Sequence, residues 1–201
     1  MVREQSLFCK ILIFLQVIRL SFEMNNEFVP EREDLFSECQ DKPGFDYMDK
    51  FGDFSLLSRK RGKNGGTYIS GNITMVWDVE PSDRVAVEGY LLKLEGGIWK
   101  PTVLKASDKD FCRSFYDKKT IYYPYSTEHV INKDEVKEKC LTNPGTVLVV
   151  EPFFQRILIN FAVPLTVGRH KVVIMFSAFD KAGVKRPRDI CMEIIGDIVH
   201  A

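Results

Sequence analysis

The longest regular alternation of apolar and polar residues spans positions 67–79. Its odd positions carry Ile69, Gly71, Ile73, Met75, Trp77 and Val79, and its even positions include Ser70, Asn72, Thr74 and Asp78. Because successive side chains of a strand point to opposite faces, this period of two predicts a β-strand with one buried and one solvated face. Residues 51–58 are expected to pair with it across the glycine-containing turn at 64–66.

Further β-type segments lie on both sides of a less regular central region. After the first strand, segments 84–94 and 98–104 predict a meander around Gly96 and Gly97. Three more strands are predicted at 155–163, 170–179 and 188–199, the second of them apolar on both faces. The pattern therefore predicts a mainly β fold, a two-sheet sandwich or cup of seven to eight antiparallel strands.

The central region carries a helical pattern instead. Ser107 is a candidate N-cap, and Phe111 and Phe115 recur at the i, i+4 spacing of one helix face. A charged segment at 133–139 predicts one or two further helical turns. One short helix is therefore expected to accompany the strands.

The N-terminal region divides into a leader and an acidic segment. Arg3 and Lys10 accompany a short apolar core at 11–18, which predicts a secretory signal peptide over residues 1–22. An amphipathic N-terminal helix of a cytosolic protein is the alternative. Residues 23–50 carry nine acidic and three basic side chains. Residues 23–45 are therefore predicted to form a solvated acidic arm before a β-sandwich domain at 46–201.

The cysteine count supports an extracellular location. Cys9 lies in the predicted leader, which leaves Cys39, Cys112, Cys140 and Cys191, an even number suited to two disulfides in an oxidising compartment. Four cysteines allow three pairings. Spacing alone leaves open both Cys39–Cys191 with Cys112–Cys140 and the alternative Cys39–Cys112 with Cys140–Cys191.

One glycosylation sequon, Asn72-Ile73-Thr74, lies in the first predicted strand. The alternation places Asn72 and Thr74 on the solvated face, where a glycan has room. We therefore expect Asn72 to be glycosylated.

Residues that carry catalytic or metal chemistry are sparse. Lys plus Arg equals Asp plus Glu at 28 each, so there is no net field to attract nucleic acid. His129, His170 and His200 lie far apart and show no zinc-type spacing with the cysteines. The sequence contains no nucleophile elbow, phosphate loop or H-E-x-x-H motif. We expect no enzyme, no cofactor and no metal site.

The high aromatic content favours a binding function over a catalytic one. Fifteen phenylalanines and seven tyrosines fill either a bulky core or the walls of a cavity between the sheets. The candidate ligand-binding residues are Ile73, Met75, Trp77, Phe115, Tyr122, Phe153, Phe154, Ile159, Phe161, Ile174 and Phe176. Phe161 is the inward candidate of the strand at 155–163, beside Phe176. For any single one of these residues, an ordinary solid core is the alternative.

Several short motifs occur in an order that resembles a known family. They are segment 68–74 (YISGNIT), Asp110-Phe111-Cys112, Cys140 before a Pro-Gly turn, segment 164–170, and Cys191 on the terminal strand. This order, over residues 45–199, resembles the insect-specific relatives of the ganglioside-activator and MD-2-related lipid-recognition proteins. These include the CheB-type chemosensory proteins and relatives of unknown function. Segment 141–144 (LTNP) stands where a Cys-Pro step is expected.

The resemblance implies a two-sheet β cup whose interior takes lipid, with Cys39–Cys191 and Cys112–Cys140 as its bridges. It implies a secreted carrier or presenter of a small hydrophobic ligand, such as a lipid, a pheromone or a cuticular hydrocarbon, in chemosensation or lipid handling. We expect a monomer whose further partner is a membrane receptor. The alternative function is a secreted adhesion or receptor-binding module with a solid core.

Overall fold

The computed structural model describes residues 26–63, 65–139, 144–159 and 165–201. The strands are β1 (Asn26–Pro30), β2 (Gly52–Asp53), β3 (Leu57–Arg61), β4 (Thr67–Met75), β5 (Arg84–Glu95), β6 (Ile98–Asp108), β7 (Val147–Gln155), β8 (Ile157–Ile159), β9 (Gly168–Phe179) and β10 (Ile190–His200). The helices are α1 (Phe111–Phe115) and α2 (Lys133–Val136), with 3₁₀ turns at Met48–Lys50, Tyr123–Tyr125 and Thr127–His129.

The strands form two antiparallel sheets. The six-stranded sheet has the order β6-β5-β9-β10-β1-β8, and in the four-stranded sheet β4 pairs with β2, β3 and β7. The predicted mainly β, two-sheet antiparallel architecture is confirmed. The described residues form ten strands and two short α-helices, against the seven to eight strands and one short helix expected.

The alternation that predicted the first strand is present in β4. Ile69 and Met75 are buried on its inner face, while Tyr68 is exposed on the outer one. The strand ends at Met75, four residues before the predicted end. The Val76 and Trp77 amides both donate to the carbonyl oxygen of Phe51, at 3.1 and 3.2 Å, so the chain leaves the ladder there.

The predicted strand at 51–58 is divided into two short strands. β2 pairs with the end of β4, and β3 pairs with its beginning. Between them the Leu57 amide donates to the Phe54 carbonyl at 3.0 Å, which closes a turn. Gly71, opposite this turn, has φ +119°, and a Cβ there would lie 2.1 Å from the Leu56 carbonyl oxygen. Only glycine fits this position without strain.

The predicted N-cap of the first helix is wrong. Ser107 lies in β6, paired with Glu88, because the ladder between β5 and β6 continues to Asp108. Asp110 caps α1 instead, its Oδ1 accepting from the Arg113 amide at 3.4 Å. Phe111 and Phe115 lie on one face of α1, as their spacing predicts, with ring centroids 5.2 Å apart.

The prediction of a solvated acidic arm is wrong for residues 26–30. They form β1, which pairs on one side with β10 and on the other with β8. Asn26, Glu27 and Phe28 are buried. The Glu27 carboxylate is satisfied by two hydrogen bonds from the Arg156 guanidinium, one of 3.0 Å from Nε. This pairing allows an acidic residue in the middle of a sheet.

The predicted strand at 155–163 also divides, since the chain changes sheet at Arg156. Gln155 ends β7 in the four-stranded sheet, and β8 joins the edge of the six-stranded sheet. Residues 160–164, including Phe161, lie outside the described residues. The predicted leader at 1–22 also lies outside them.

The main hydrophobic core lies between the two sheets and α1. It includes Met75, Trp77, Phe111, Phe115 and Phe176. A second cluster around Phe28, Leu91, Leu165 and Ile198 continues the inner face of the six-stranded sheet. The two clusters together give that sheet a continuous apolar inner side.

The outer face of β9 and β10 is covered by residues 37–46. Cys39 forms a disulfide with Cys191, with Cα atoms 5.9 Å apart, and packs against Val173. Beside them, Lys171 Nζ lies 2.9 Å from Glu193 Oε1, and both side chains are 4% exposed. This cover explains why the segment at 170–179 is apolar on both faces.

Candidate functional site

Seven of the predicted ligand-binding residues come together in the main core. Met75, Trp77, Phe115 and Phe176 are buried there, and Ile73, Tyr122 and Ile174 pack against them half-buried. The rings are in mutual contact: the Phe176 centroid lies 5.0 Å from that of Phe51 and 5.2 Å from that of Phe111. These side chains therefore pack mainly against one another.

Three polar atoms in this core have no hydrogen-bond partner among the described residues. They are the Trp77 indole nitrogen and the hydroxyls of Tyr116 and Tyr122. Burial raises the pKa of Tyr116 to about 12, so its hydroxyl stays neutral at physiological pH. The core is thus dominated by aromatic contacts and not by a polar network.

The other predicted residues that the structure describes lie outside the main core. Phe153 stacks on His129 with centroids 3.6 Å apart, and Ile159 packs against the second cluster. Phe154 is not an inward residue. It pairs with Tyr68 on the outer face, is 42% exposed, and its centroid lies 4.8 Å from that of Tyr68. Consecutive strand residues point to opposite faces, so Phe153 and Phe154 cannot both line one cavity.

The predicted modification and disulfide sites are only partly described. Asn72 pairs with Val149 and shares the outer face of β4 with Tyr68, as its alternation predicts. The Cys39–Cys191 pairing is confirmed. Cys112 is disulfide-bonded. Its predicted partner Cys140 lies outside the described residues, so that pairing stays a prediction.

An open surface depression of about 370 Å³ lies at one end of the main core, beside β2. We call it the aromatic pocket; its lining residues are Asp34, Phe36, Tyr47, Met48, Asp49, Gly52, Asp53 and Phe54. Met48 belongs to the main core, and the three aromatic rings pack against that core. A second pocket, between β1 and β3, has a volume of about 20 Å³, room for about one water molecule.

The walls of the aromatic pocket are fixed by local backbone geometry. Leu35 has φ +69°, a left-handed conformation that is uncommon for a leucine, and the Phe36 amide donates to the Asp34 carbonyl at 2.9 Å. This tight turn directs Phe36 toward Phe54, with ring centroids 6.0 Å apart. The Tyr47 hydroxyl donates to the Phe36 carbonyl at 3.0 Å, which holds the third ring in place.

The rim of the pocket is acidic. Asp34, Asp49 and Asp53 line it, and no lining residue is basic. A hydrogen bond from the Arg32 guanidinium lowers the pKa of Asp34. Hydrogen bonding by Ser55, chiefly from its backbone amide at 2.9 Å, lowers the pKa of Asp53. Both carboxylates are therefore ionised at neutral and mildly acidic pH.

Sequence reasoning missed the aromatic pocket. Its residues come from the predicted arm, from the 3₁₀ turn at Met48–Lys50 and from β2, and no periodicity within a single element brings these segments together. A signal was nevertheless present, because segment 45–54 (FDYMDKFGDF) alternates aromatic residues with aspartates. Such a segment places apolar walls and carboxylates close together on one short stretch of chain.

Other site classes receive no support from the described part of the chain. There, no group of three or more His, Cys, Asp or Glu residues is placed to hold a metal ion. Within the same ranges, no helix is long and apolar enough to cross a membrane. Comparison with protein-family models gives no match, and comparison with curated proteins gives none either.

Proposed function

We propose that this protein is a secreted carrier that binds a small hydrophobic ligand in the aromatic pocket. The supporting observation is the lining of the pocket, a depression of about 370 Å³ that is open to solvent on one side. Its walls are Phe36, Tyr47, Met48 and Phe54, with polar groups confined to the rim. This combination of apolar walls and few polar groups is typical of ligand sites.

Secretion is supported by the Cys39–Cys191 disulfide, since such bonds persist in oxidising compartments. The resemblance to the lipid-recognition proteins adds a role in chemosensation or lipid handling by analogy alone. The proposed position differs from the one predicted from sequence: the ligand lies at the end of the main core and not among Met75, Trp77 and Phe176.

Native mass spectrometry of the secreted protein tests the carrier function. We expect a co-purified apolar molecule, and we expect Phe54→Ala to weaken its binding on the order of tenfold, because part of the apolar wall is lost. Phe154→Ala is the matched control, since it removes an exposed phenylalanine outside the pocket. If the two variants bind the ligand with equal affinity, the ligand site lies outside the aromatic pocket.

A second candidate function, an adhesion or receptor-binding module, is favoured by the exposed pair Tyr68 and Phe154. Tyr68 is 59% and Phe154 is 42% exposed. The Phe154 ring rests on a glycine hairpin: a Cβ at Gly66 would lie 2.4 Å from its Cζ. Exposed aromatic groups are frequent anchors of protein interfaces. Under this alternative, Phe154→Ala reduces partner binding while Phe54→Ala does not.

A further inference from the structure

A group of apolar side chains lies at the surface of the four-stranded sheet, beside β4. We call it the apolar strip; its residues are Leu56, Ile131, Val147 and Val149. Leu56 and Ile131 are more than half exposed, while their neighbours along the chain on the inner side, such as Val130 beside Ile131, are buried. Neighbouring exposed apolar groups of this kind mark a surface that another group covers or that promotes association.

Asn72 lies in the middle of the apolar strip. Val149 stands opposite it in the ladder between β4 and β7. Ile131 continues the row on that side, since its amide donates to the Val149 carbonyl at 2.9 Å. On the other side, the Asn72 amide donates to the Leu56 carbonyl at 3.1 Å. Because neighbouring strands are about 4.8 Å apart, the backbone of each of these residues lies within roughly 10 Å of Asn72.

The Asn72 side chain is accessible for modification. Among the described residues, no group forms a hydrogen bond with its side-chain amide, and neither of its polar atoms is one of the buried atoms that lack a partner. The amide therefore reaches solvent. Asn72-Ile73-Thr74 is also the glycosylation sequon of the sequence. A polar group that accepts a bulky, solubilising glycan thus lies at the centre of an apolar surface.

We propose that an N-linked glycan on Asn72 covers the apolar strip and prevents the protein from associating through this face. In the transfer, Asn72 Nδ2 forms a bond to the anomeric carbon of an oligosaccharide carried on a lipid pyrophosphate. The bond between that carbon and the pyrophosphate oxygen breaks, and the amide nitrogen releases one proton. The inference rests on the proposed secretion, because this transfer belongs to the secretory pathway, and not on ligand binding.

Mass spectrometry of the protein secreted from eukaryotic cells tests the attachment. Digestion of the wild type with a peptide-N-glycosidase is expected to remove one glycan and to leave aspartate at position 72. Asn72→Gln is expected to show no such loss of mass. Thr74→Ser is the matched control, because serine keeps the hydroxyl of the sequon, and this variant is expected to remain glycosylated.

Sedimentation equilibrium tests the covering role. We expect the glycosylated wild type to be a monomer. Asn72→Gln and the enzymatically deglycosylated wild type are expected to self-associate at least about tenfold more tightly, because uncovered leucine and isoleucine side chains are buried between two copies. The enzyme acts on the folded protein, so this measurement does not depend on secretion of the variant.

A further pair of substitutions locates the associating surface. In the Asn72→Gln background, Leu56→Ser/Ile131→Ser is expected to restore the monomer, because it removes the two most exposed side chains of the apolar strip. Ile121→Ser/Val184→Ser is the matched control, since these side chains are exposed to a similar degree and lie outside the strip. It is expected to leave the association unchanged.

The outcomes separate this inference from the carrier function. A secreted wild type without a glycan overturns the covering role, and so does a glycan whose removal leaves a monomer. Equal rescue by the control pair overturns the placement at the apolar strip. If the glycosylated wild type already associates and Leu56→Ser/Ile131→Ser disrupts it, a second copy covers the strip and the proposal is wrong.

Each of these results leaves the carrier function intact, because none of the substituted residues lines the aromatic pocket. Failure of the wild type to enter the secretory pathway overturns both proposals.

Discussion

At the scale of single residues, one buried carboxylate, that of Asp83, forms an ion pair with Arg186 and so joins two loops. Both oxygens of Asp83 accept from the Arg186 guanidinium, at 2.8 and 2.9 Å, and Oδ2 also accepts from the Glu80 amide. The Asp83 side chain is fully buried. The hydrogen bonds from Arg186 lower the pKa of Asp83. The pair connects the turn before β5 to the connection between β9 and β10.

Asp83→Asn is expected to lower the free energy of unfolding at pH 7 by about 2 kcal/mol, because hydrogen bonds to a charged group are lost. The folded pKa of Asp83 lies below its unfolded value, so its contribution is complete above about pH 4 and is lost as pH falls through the folded pKa. The difference between wild type and variant should therefore shrink in acid. Urea denaturation across the pH range measures it.

Asp34→Asn is the control for this prediction, since the Arg32–Asp34 pair is exposed to solvent. Its effect on the free energy of unfolding is expected to stay below about 1 kcal/mol. A difference for Asp83→Asn that does not change with pH would contradict the assigned role of its ionised form.

At the scale of elements, β1 is held in the six-stranded sheet by a close approach to β10. Pro30 pairs with Gly196. A Cβ at Gly196 would lie 2.4 Å from the Val29 carbonyl oxygen and 2.8 Å from a ring carbon of Phe28. The backbone of β1 therefore occupies the space that a side chain at position 196 would need.

Gly196→Ala is expected to displace β1 and to lower the free energy of unfolding by about 2 kcal/mol, as overpacked sites typically do. Hydrogen exchange should show lost protection across residues 26–29, the β1 residues that carry a backbone amide hydrogen. Gly89→Ala is the matched control: it is also a glycine of the six-stranded sheet, but its Cβ would meet only the Val173 carbonyl oxygen, at 3.7 Å. Equal losses in both variants would show that β1 is not specifically displaced.

At the scale of the whole molecule, the Cys39–Cys191 disulfide joins residues separated by 152 positions. It attaches residues 37–46 to the outer face of the six-stranded sheet. Backbone hydrogen bonds support the same contact, from the Ser37 amide to the Glu193 carbonyl at 2.7 Å and from the Cys191 amide to the Asp46 carbonyl at 2.9 Å.

Cys39→Ala/Cys191→Ala is expected to lower the free energy of unfolding by about 4 to 5 kcal/mol, because a long closed loop restricts the unfolded chain strongly. Urea denaturation against the wild type measures this loss. A loss below about 1 kcal/mol would show that the hydrogen bonds of Ser37 and Asp46 alone maintain the contact.

The sequence predicted what local periodicity encodes. The strand of Ile69 and Met75, the phenylalanine pair of α1 and the outward position of Asn72 all follow from the spacing of residues along a single element. β1 was not predicted, because its sequence is short and acidic and its burial depends on Arg156 and on distant strands. The aromatic pocket was not predicted either, since it is assembled from turns whose geometry depends on Leu35 and on the contact between Tyr47 and Phe36.

The position of β1 determines when this strand can pair with its neighbours during synthesis. The ribosome makes this strand before every other described one, yet its two neighbours, β8 and β10, lie near the end of the chain. Until they emerge, β1 has neither ladder partner, and the chain keeps an unpaired apolar Phe28. Such delayed pairing between distant segments slows folding and exposes strand edges. β1 can therefore take its place in the six-stranded sheet only after β8 and β10 have been made.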